Sequence, residues 1–303
     1  GYAAMWLVFA LMAAVYGEAR VNHFKHDDYY SPQVAGLSGG GYVVTWVSRG
    51  QDGSVDGIYA QRYNGSGAAI GAEFRVNTQI AGNQVEPTVV GLSDGSFVIA
   101  WTDQNGDGSS YGVYGQRFDA AGAAQGAQFR INTYTTYDQA QPVLAAYAGG
   151  FIASWYSNNQ DGSVYGIYAQ RYNNDGSPNG AEFQVNTTTG GYQYEPSVAT
   201  FADASFVVVW RSDGQDGSGA GVYGQRFDAA GAKVGAEFLV NTTVSSNQYD
   251  AHVATLTGGG FVVVWSDDGS HDSSGVGVYG QRFDAAGSKL GGEFLINQST
   301  PGN

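Results

Sequence analysis

The sequence predicts an all-β fold, a β-propeller of four-stranded antiparallel blades, and three repeated features predict it. One unit of about 55 residues recurs, because the tryptophans at 46, 101, 155, 210 and 265 lie 55, 54, 55 and 55 residues apart. A Gln-Arg pair has the same period, at 61–62, 116–117, 170–171, 225–226 and 281–282. An Asn ends an E-F-x-V-N-like segment at positions 22, 77, 132, 186, 241 and 297. A fixed period of this length indicates copies of one supersecondary unit packed on one another.

The strands can be assigned in order within the unit at 182–231. Residues 183–185 form a short strand, and 196–200 begin a second strand after a polar loop. Residues 206–210 (FVVVW) are apolar at every position, which is typical of a strand buried on both faces. Residues 222–228 (VYGQRFD) alternate and therefore predict a half-buried strand. Asp-Gly and Ala-Gly turns between these segments favour hairpins, so each unit predicts four strands.

The number of strand copies does not determine how the ring closes. The strands marked by Pro, Trp and Gln-Arg occur five times, whereas the E-F-x-V-N strand occurs six times. We therefore predict five full blades plus an extra N-terminal strand that closes the ring or pairs with a neighbour. A six-bladed ring completed by sequence outside this chain is one alternative. A parallel β-solenoid is another, although its coils are usually shorter and lack hairpin turns.

The amino-acid composition restricts the classes of molecule that the protein can bind. The net charge is −14, since 27 acidic residues face 13 basic ones, and such a surface repels nucleic acid and anionic membranes. It would attract divalent cations. The chain has no cysteine, which excludes disulfides, thiolate metal sites and a Cys nucleophile.

The first 17 residues are apolar and separate from the single repeat domain predicted at 18–303. Residues 2–15 carry no charge and are shorter than the roughly 20 residues that a membrane-spanning helix needs, so no membrane span is predicted. They resemble the apolar part of a secretory signal, which predicts an extracellular protein. Alternatively they form a buried or closing strand, because residues 2–9 are in register with the later G-V-Y-G-Q-R-F-D segments.

An acidic loop after each tryptophan is a candidate metal site. Carboxylates spaced by Gly and Ser can supply the oxygen ligands that calcium prefers. The alternative is that each Asp-Gly only forms a hairpin turn without metal. The candidate calcium ligands are Asp52, Asp107, Asp161, Asp216 and Asp272.

The Gln-Arg pair predicts a structural tie between blades. We expect each Arg to be held by an acid such as Asp119, or by the Glu that precedes the neighbouring strand. A ligand-binding role would require the Arg to be exposed at a rim.

The loop between the Asn and the Pro of each unit is a candidate ligand site, because it is polar and varies between copies. Amide and carboxylate oxygens beside an aromatic face can bind the hydroxyl groups and C–H faces of a sugar. The alternative is a solvated loop in which Gln caps a strand end. The candidate residues are Gln84, Glu86, Gln139, Gln141, Gln193, Tyr194, Glu195, Gln248, Tyr249 and Asp250.

The segment GQDGSGAGVYGQRFDAAGAKVGAEFLVNT (214–242) resembles a repeat of very long secreted bacterial proteins of the RTX and adhesin-like kind. The resemblance covers about residues 18–297. It implies secretion, calcium-rich surroundings and attachment to a cell surface or matrix. The GGxGxDxUx nonapeptides of RTX calcium sites do not occur here, so those sites are not carried over.

These observations predict a non-enzymatic extracellular recognition module that binds carbohydrate or matrix at several equivalent, lectin-like sites. One alternative is a glycoside hydrolase or polysaccharide lyase, which needs paired carboxylates near the ring axis that break the repeat. Only Asp27 and Asp28 form such a pair in the sequence. Another alternative is a structural subunit of a filament or adhesin, self-associating through the N-terminal strand.

Overall fold

The computed structural model describes residues 21–22, 28–104, 106–269 and 275–298. No helix in these ranges is long and apolar enough to span a membrane. The apolar segment 1–17 and its two interpretations lie outside the described residues, as does the Asp27 of the predicted acidic pair.

The strands fall into four sets by their place in the repeat unit. The first strands are β1 (Tyr29–Gly36), β5 (Gln84–Gly91), β9 (Gln139–Tyr147), β13 (Gln193–Thr200) and β17 (Gln248–Thr255). The second strands are β2 (Tyr42–Arg49), β6 (Phe97–Gln104), β10 (Gly150–Asn158), β14 (Phe206–Asp213) and β18 (Phe261–Asp267). The third strands are β3 (Asp56–Tyr63), β7 (Tyr111–Phe118), β11 (Tyr165–Asn173), β15 (Ala220–Phe227) and β19 (Gly277–Phe283). The fourth strands are β4 (Ala69–Arg75), β8 (Ala124–Arg130), β12 (Phe183–Gln184), β16 (Lys233–Leu239) and β20 (Lys289–Leu295).

The strands form five separate sheets. Each sheet is one blade, and the blades are numbered 1 to 5 in chain order. Within every blade the strands are hydrogen-bonded in chain order, from the first to the fourth, and all neighbours are antiparallel. The E-F-x-V-N segment is the outermost strand of each blade. The five first strands surround one central cavity, so the blades are arranged around a common axis. The predicted propeller of four-stranded blades is confirmed.

Successive blades pack face to face through their second strands. Alternate residues of a strand point to opposite faces, so one second strand contributes to two cores. In blade 2, for example, Phe97 and Trp101 pack on blade 1, while Val98 and Ala100 pack on blade 3. Trp155, Trp210 and Trp265 occupy the equivalent place in the next three interfaces, and none is more than 1% exposed. Burying each such aromatic side chain contributes about 1.5–3 kcal/mol.

The Gln-Arg pairs also connect the blades, although not through the predicted carboxylates. The Arg62 guanidinium donates to the carbonyl oxygens of Ala120 and Ala121, in the turn after the third strand of the next blade. Arg171 and Arg226 donate to the corresponding turns of blades 4 and 5. These three Gln-Arg pairs therefore have the predicted structural role, but their Arg side chains donate to backbone carbonyls and not to carboxylates.

Gly91 marks a close approach between blades 1 and 2, and we expect Gly91→Ala to destabilise the fold by about 1–3 kcal/mol. A Cβ at this position would lie 2.2 Å from the carbonyl oxygen of Gly36, so the two backbones would have to separate. The matched control is Gly36→Ala, because a Cβ there has no neighbour within 4 Å. Urea unfolding of both variants checks the prediction, and an equal loss in the control would contradict it.

Candidate functional site

The residue that precedes the Pro position adopts the same unusual backbone in every blade. These five axial positions have φ between 51° and 55°, the left-handed region, which few non-glycine residues adopt. They are Ser31, Glu86, Gln141, Glu195 and Asp250. In each blade the register between the first and second strands shifts at this point, which is a β-bulge. Proline follows in blades 1–4 and cannot donate a ladder hydrogen bond, so a bulge accommodates it.

The bulge turns the axial positions towards the centre of the ring. They line an open cavity of about 650 Å³, together with the following residues of each first strand and His252 of β17. Bulges commonly re-aim side chains in this way near functional sites. Three of the five axial positions are acidic, and we name Glu86, Glu195 and Asp250 the axial carboxylates. Three acids, one amide and one hydroxyl thus occupy positions that are equivalent in backbone but different in chemistry.

A chain of hydrogen bonds holds these side chains in place across the blades. The Gln141 backbone N–H donates to Glu86 Oε2 at 3.0 Å, and the Glu195 N–H donates to Gln141 Oε1 at 3.2 Å. The Asp250 N–H donates in turn to Glu195 Oε2 at 3.3 Å. One carboxylate oxygen of Glu86 and of Glu195 is therefore used for positioning. Within the described part of the chain, their other oxygen makes no protein hydrogen bond.

Glu195 differs electrostatically from an ordinary surface glutamate. Burial raises its pKa, and the nearby carboxylates of Asp250 and Asp213 act in the same direction. The Asp250 N–H and the Arg211 guanidinium oppose this effect but do not reverse it. A raised pKa favours the protonated form, so Glu195 can act as a proton donor nearer to neutral pH than a solvated glutamate can.

Arg211 is a functional candidate that the sequence analysis missed. Its guanidinium carbon lies 4.9 Å from the centre of the Tyr194 ring and 5.9 Å from that of Tyr249, and its Nε donates to Asp213. These two predicted tyrosines thus hold Arg211 next to Glu195. The available signal was the position directly after each tryptophan, which does not repeat: Val47, Thr102, Tyr156, Arg211 and Ser266.

Glu86 is supported by Thr102, which directly follows Trp101 and so occupies the same non-repeating position as Arg211. The Thr102 hydroxyl donates to Glu86 Oε2 at 2.8 Å. Burial raises the pKa of Tyr156 well above its usual range, and the nearby Glu86 carboxylate raises it further. The cavity wall therefore differs from blade to blade.

Gln141 lines the cavity, but the other four predicted glutamines do not. Each is 0% exposed and lies inside its blade, where its Oε1 accepts a hydrogen bond from the Asn that ends the preceding repeat segment. Each also donates to a backbone carbonyl three residues earlier. They hold the loop that precedes the axial position. These residues are Gln84, Gln139, Gln193 and Gln248.

The predicted calcium ligands form tight turns. In each of the four described loops, one aspartate oxygen accepts the backbone N–H two residues later, at 2.9–3.0 Å. The other oxygen lies against a third-strand glycine, such as Gly57 beside Asp52. These aspartates are Asp52, Asp107, Asp161 and Asp216, and Asp272 lies outside the described residues. In the described ranges no three His, Asp or Glu side chains come together as a metal site, and calcium binding stays a prediction.

Solved structures share this fold at low sequence identity. A protein of unknown function from Dyadobacter fermentans is 12% identical, with a TM-score of 0.62 over 91% of this chain and 85% of that one. An α-L-arabinanase from Penicillium chrysogenum, complexed with arabinobiose, is 15% identical, with a TM-score of 0.60 over 90% of this chain and 82% of that one. An α-L-arabinofuranosidase from Lactobacillus brevis is 12% identical, with a TM-score of 0.50 over 88% and 95%. No protein-family model and no curated protein sequence matches the chain.

The prediction of a non-enzymatic recognition module is wrong by this comparison, because propellers of similar form include several enzymes that act on glycosides. These findings agree better with the glycoside hydrolase alternative. From the sequence, only Asp27 and Asp28 are interpreted as a carboxylate pair that breaks the repeat, whereas Glu86, Glu195 and Asp250 are predicted as ligand-binding loop residues. The structure places these three near the axis, at positions where the repeat varies.

Proposed function

We propose that this protein is a glycoside hydrolase whose active site is the axial cavity. The observation that supports this most directly is the set of axial carboxylates, which converge on one cavity from three different blades. Cleavage of a glycosidic bond in most such enzymes requires two carboxyl groups on either side of the bond. A volume of about 650 Å³ falls within the range of ligand sites in proteins.

The roles follow from the surroundings of each carboxyl group. Glu195 is the general acid, because its raised pKa keeps a proton available for the leaving oxygen. Glu86 and Asp250 flank it in the ring, and one of them acts as the base that activates water or as the nucleophile. Arg211 lies beside Glu195, where its charge counters the negative charge that Glu195 gains on giving up its proton.

The proteins of similar form suggest the first substrates to test. Arabinan and aryl α-L-arabinofuranosides are incubated with the purified chain, and new reducing ends or released phenol are measured. We expect turnover of at least one of them, and a loss of about 100-fold or more in at least one of Glu86→Gln and Asp250→Asn, because one of the two residues is the base or nucleophile. These two changes remove the charge while keeping the shape of the side chain.

Asp119→Asn is the matched control, because it neutralises an acid far from the axis. Asp119 accepts two backbone N–H groups in a turn, and Asn64 does the same in blade 1, so the fold accepts an amide there. Hydrolysis that persists in both axial variants, or the absence of hydrolysis across the whole panel, would contradict the proposed function.

A further inference from the structure

Blade 5 presents an apolar face that is covered in the other blades. Val222 and Val240 of blade 4 are 0% exposed, because they pack on Phe261, Val263 and Trp265 of the next second strand. Their counterparts in blade 5, Val278 and Ile296, are 38% and 43% exposed. Phe294, the counterpart of the partly buried Phe238, is 40% exposed. The described residues thus form four inter-blade cores for five blades.

The ring does not close through contact between blades 5 and 1. The first strands pack side by side from β1 to β5, β9, β13 and β17, but no comparable contact joins β17 to β1 in the described ranges.

Val21 lies where a preceding blade would end. The Tyr63 hydroxyl donates to the Val21 carbonyl oxygen at 3.0 Å. The same bond, at 2.9 Å, joins Tyr172 of blade 3 to Ile131, which directly follows the fourth strand of blade 2. By sequence, Val21 and Asn22 end the first of the six E-F-x-V-N-like segments. Val21 therefore occupies the place on blade 1 that Ile296 would need if blade 5 packed there directly.

We propose that a sixth blade separates blade 5 from blade 1. Val21 takes the place on blade 1 that the residue after a preceding fourth strand takes on blade 3, and the two inner strands of the sixth blade are the first hairpin of one further repeat unit of the same sequence type. The exposed face of blade 5 is the docking surface for that hairpin. The occupant must carry a Phe-x-Val-x-Trp strand or a close variant of it. This pattern covers the equivalent face of blades 3 and 4, and a variant with Ile or Ala in place of the Val covers that of blades 1 and 2. In sequence, residues 1–22 align only with the G-V-Y-G-Q-R-F-D and E-F-x-V-N segments of the repeat unit.

The chain lacks cysteine, so a single introduced thiol reports on this face. Val278→Cys places the thiol on the exposed face, and Val222→Cys places it at the equivalent buried position as the matched control. Both are made in the 303-residue chain and in a chain extended after Asn303 by a copy of residues 245–268. A second extension carries Ser at the positions copied from Phe261, Val263 and Trp265. The rate of reaction with a disulfide reagent is measured under native conditions, with thermal unfolding in parallel.

In the 303-residue chain we expect Val278→Cys to react at least about 10-fold faster than Val222→Cys. The copied hairpin should slow it by about 10-fold or more and raise the unfolding temperature, and the Ser extension should do neither. Three results would overturn the proposal. The first is slow labelling of Val278→Cys in a monomeric 303-residue chain, which indicates direct closure onto blade 1. The second is slow labelling only at concentrations where the chain dimerises, which indicates a second copy. The third is equally fast labelling with both extensions.

Discussion

Replacing Glu195 with glutamine is expected to lower kcat/KM by about 10²–10⁴-fold on glycosides with a poor leaving group. An aryl glycoside with a good leaving group should lose far less, because its departing oxygen needs little protonation. In the wild-type enzyme activity should fall as the pH rises through the raised pKa of Glu195, since the general acid must hold a proton. The variant should lose this alkaline limb of the pH profile. Steady-state kinetics on a series of aryl glycosides and on the polysaccharide measure both effects.

Glu86→Gln and Asp250→Asn separate this role from simple loss of charge in the cavity. A base or nucleophile is needed whatever the leaving group is, so the variant that removes it should slow all substrates to a similar degree. Asp119→Asn should leave the kinetics unchanged. A loss in Glu195→Gln that does not depend on the leaving group would show that Glu195 only positions Asp250 through its hydrogen bond.

Protonation of Asp103 is expected to change the free energy of unfolding by about 3 kcal/mol between low and neutral pH. It is 0% exposed, and burial raises its pKa from 3.8 to about 6, against the opposing hydrogen bonds from Trp101 and Gln84. Its Oδ1 is buried without a hydrogen-bond partner in the described structure. The folded state therefore binds the proton more tightly than the unfolded state does. The stabilisation from this proton is complete below about pH 4 and is lost as the pH rises to about 6.

Asp103→Asn tests this by removing the titration with little change in shape. Urea unfolding at a series of pH values gives the difference in unfolding free energy between wild type and variant. From pH 4 to pH 7 that difference should move by about 2 kcal/mol in favour of the variant. Asp119→Asn, which makes the same change of charge in a half-buried turn, is the control for a loss of charge outside the core. A difference that is constant over the same range would show that the Asp103 carboxyl group titrates as a solvated one.

The blades were predictable from the sequence because their main requirement is local. A second strand buried between two sheets must be apolar on both sides, and Phe206–Trp210 shows this without reference to any other part of the chain. The site was only partly predictable. The position before the Pro identified Glu86, Glu195 and Asp250, but their neighbours Gln84 and Gln193 lie inside the blades. The bulge turns the acidic residues towards the cavity and leaves the glutamines inside the blades. Its left-handed backbone is not predictable from residue type, because Ser, Glu, Gln and Asp all adopt it here.

Periodicity alone is sufficient to establish the repeat unit, its four strands and the all-β class, since each depends on patterns within about 55 residues. The convergence of the axial carboxylates depends instead on the curvature of the ring, which brings residues 54 or 55 positions apart into hydrogen-bonding distance. The raised pKa of Glu195 has the same origin, because the burial and the charges that produce it come from different blades. The uncovered face of blade 5 is likewise invisible in the repeat, since Val222 and Val278 occupy equivalent positions and differ only in what packs against them.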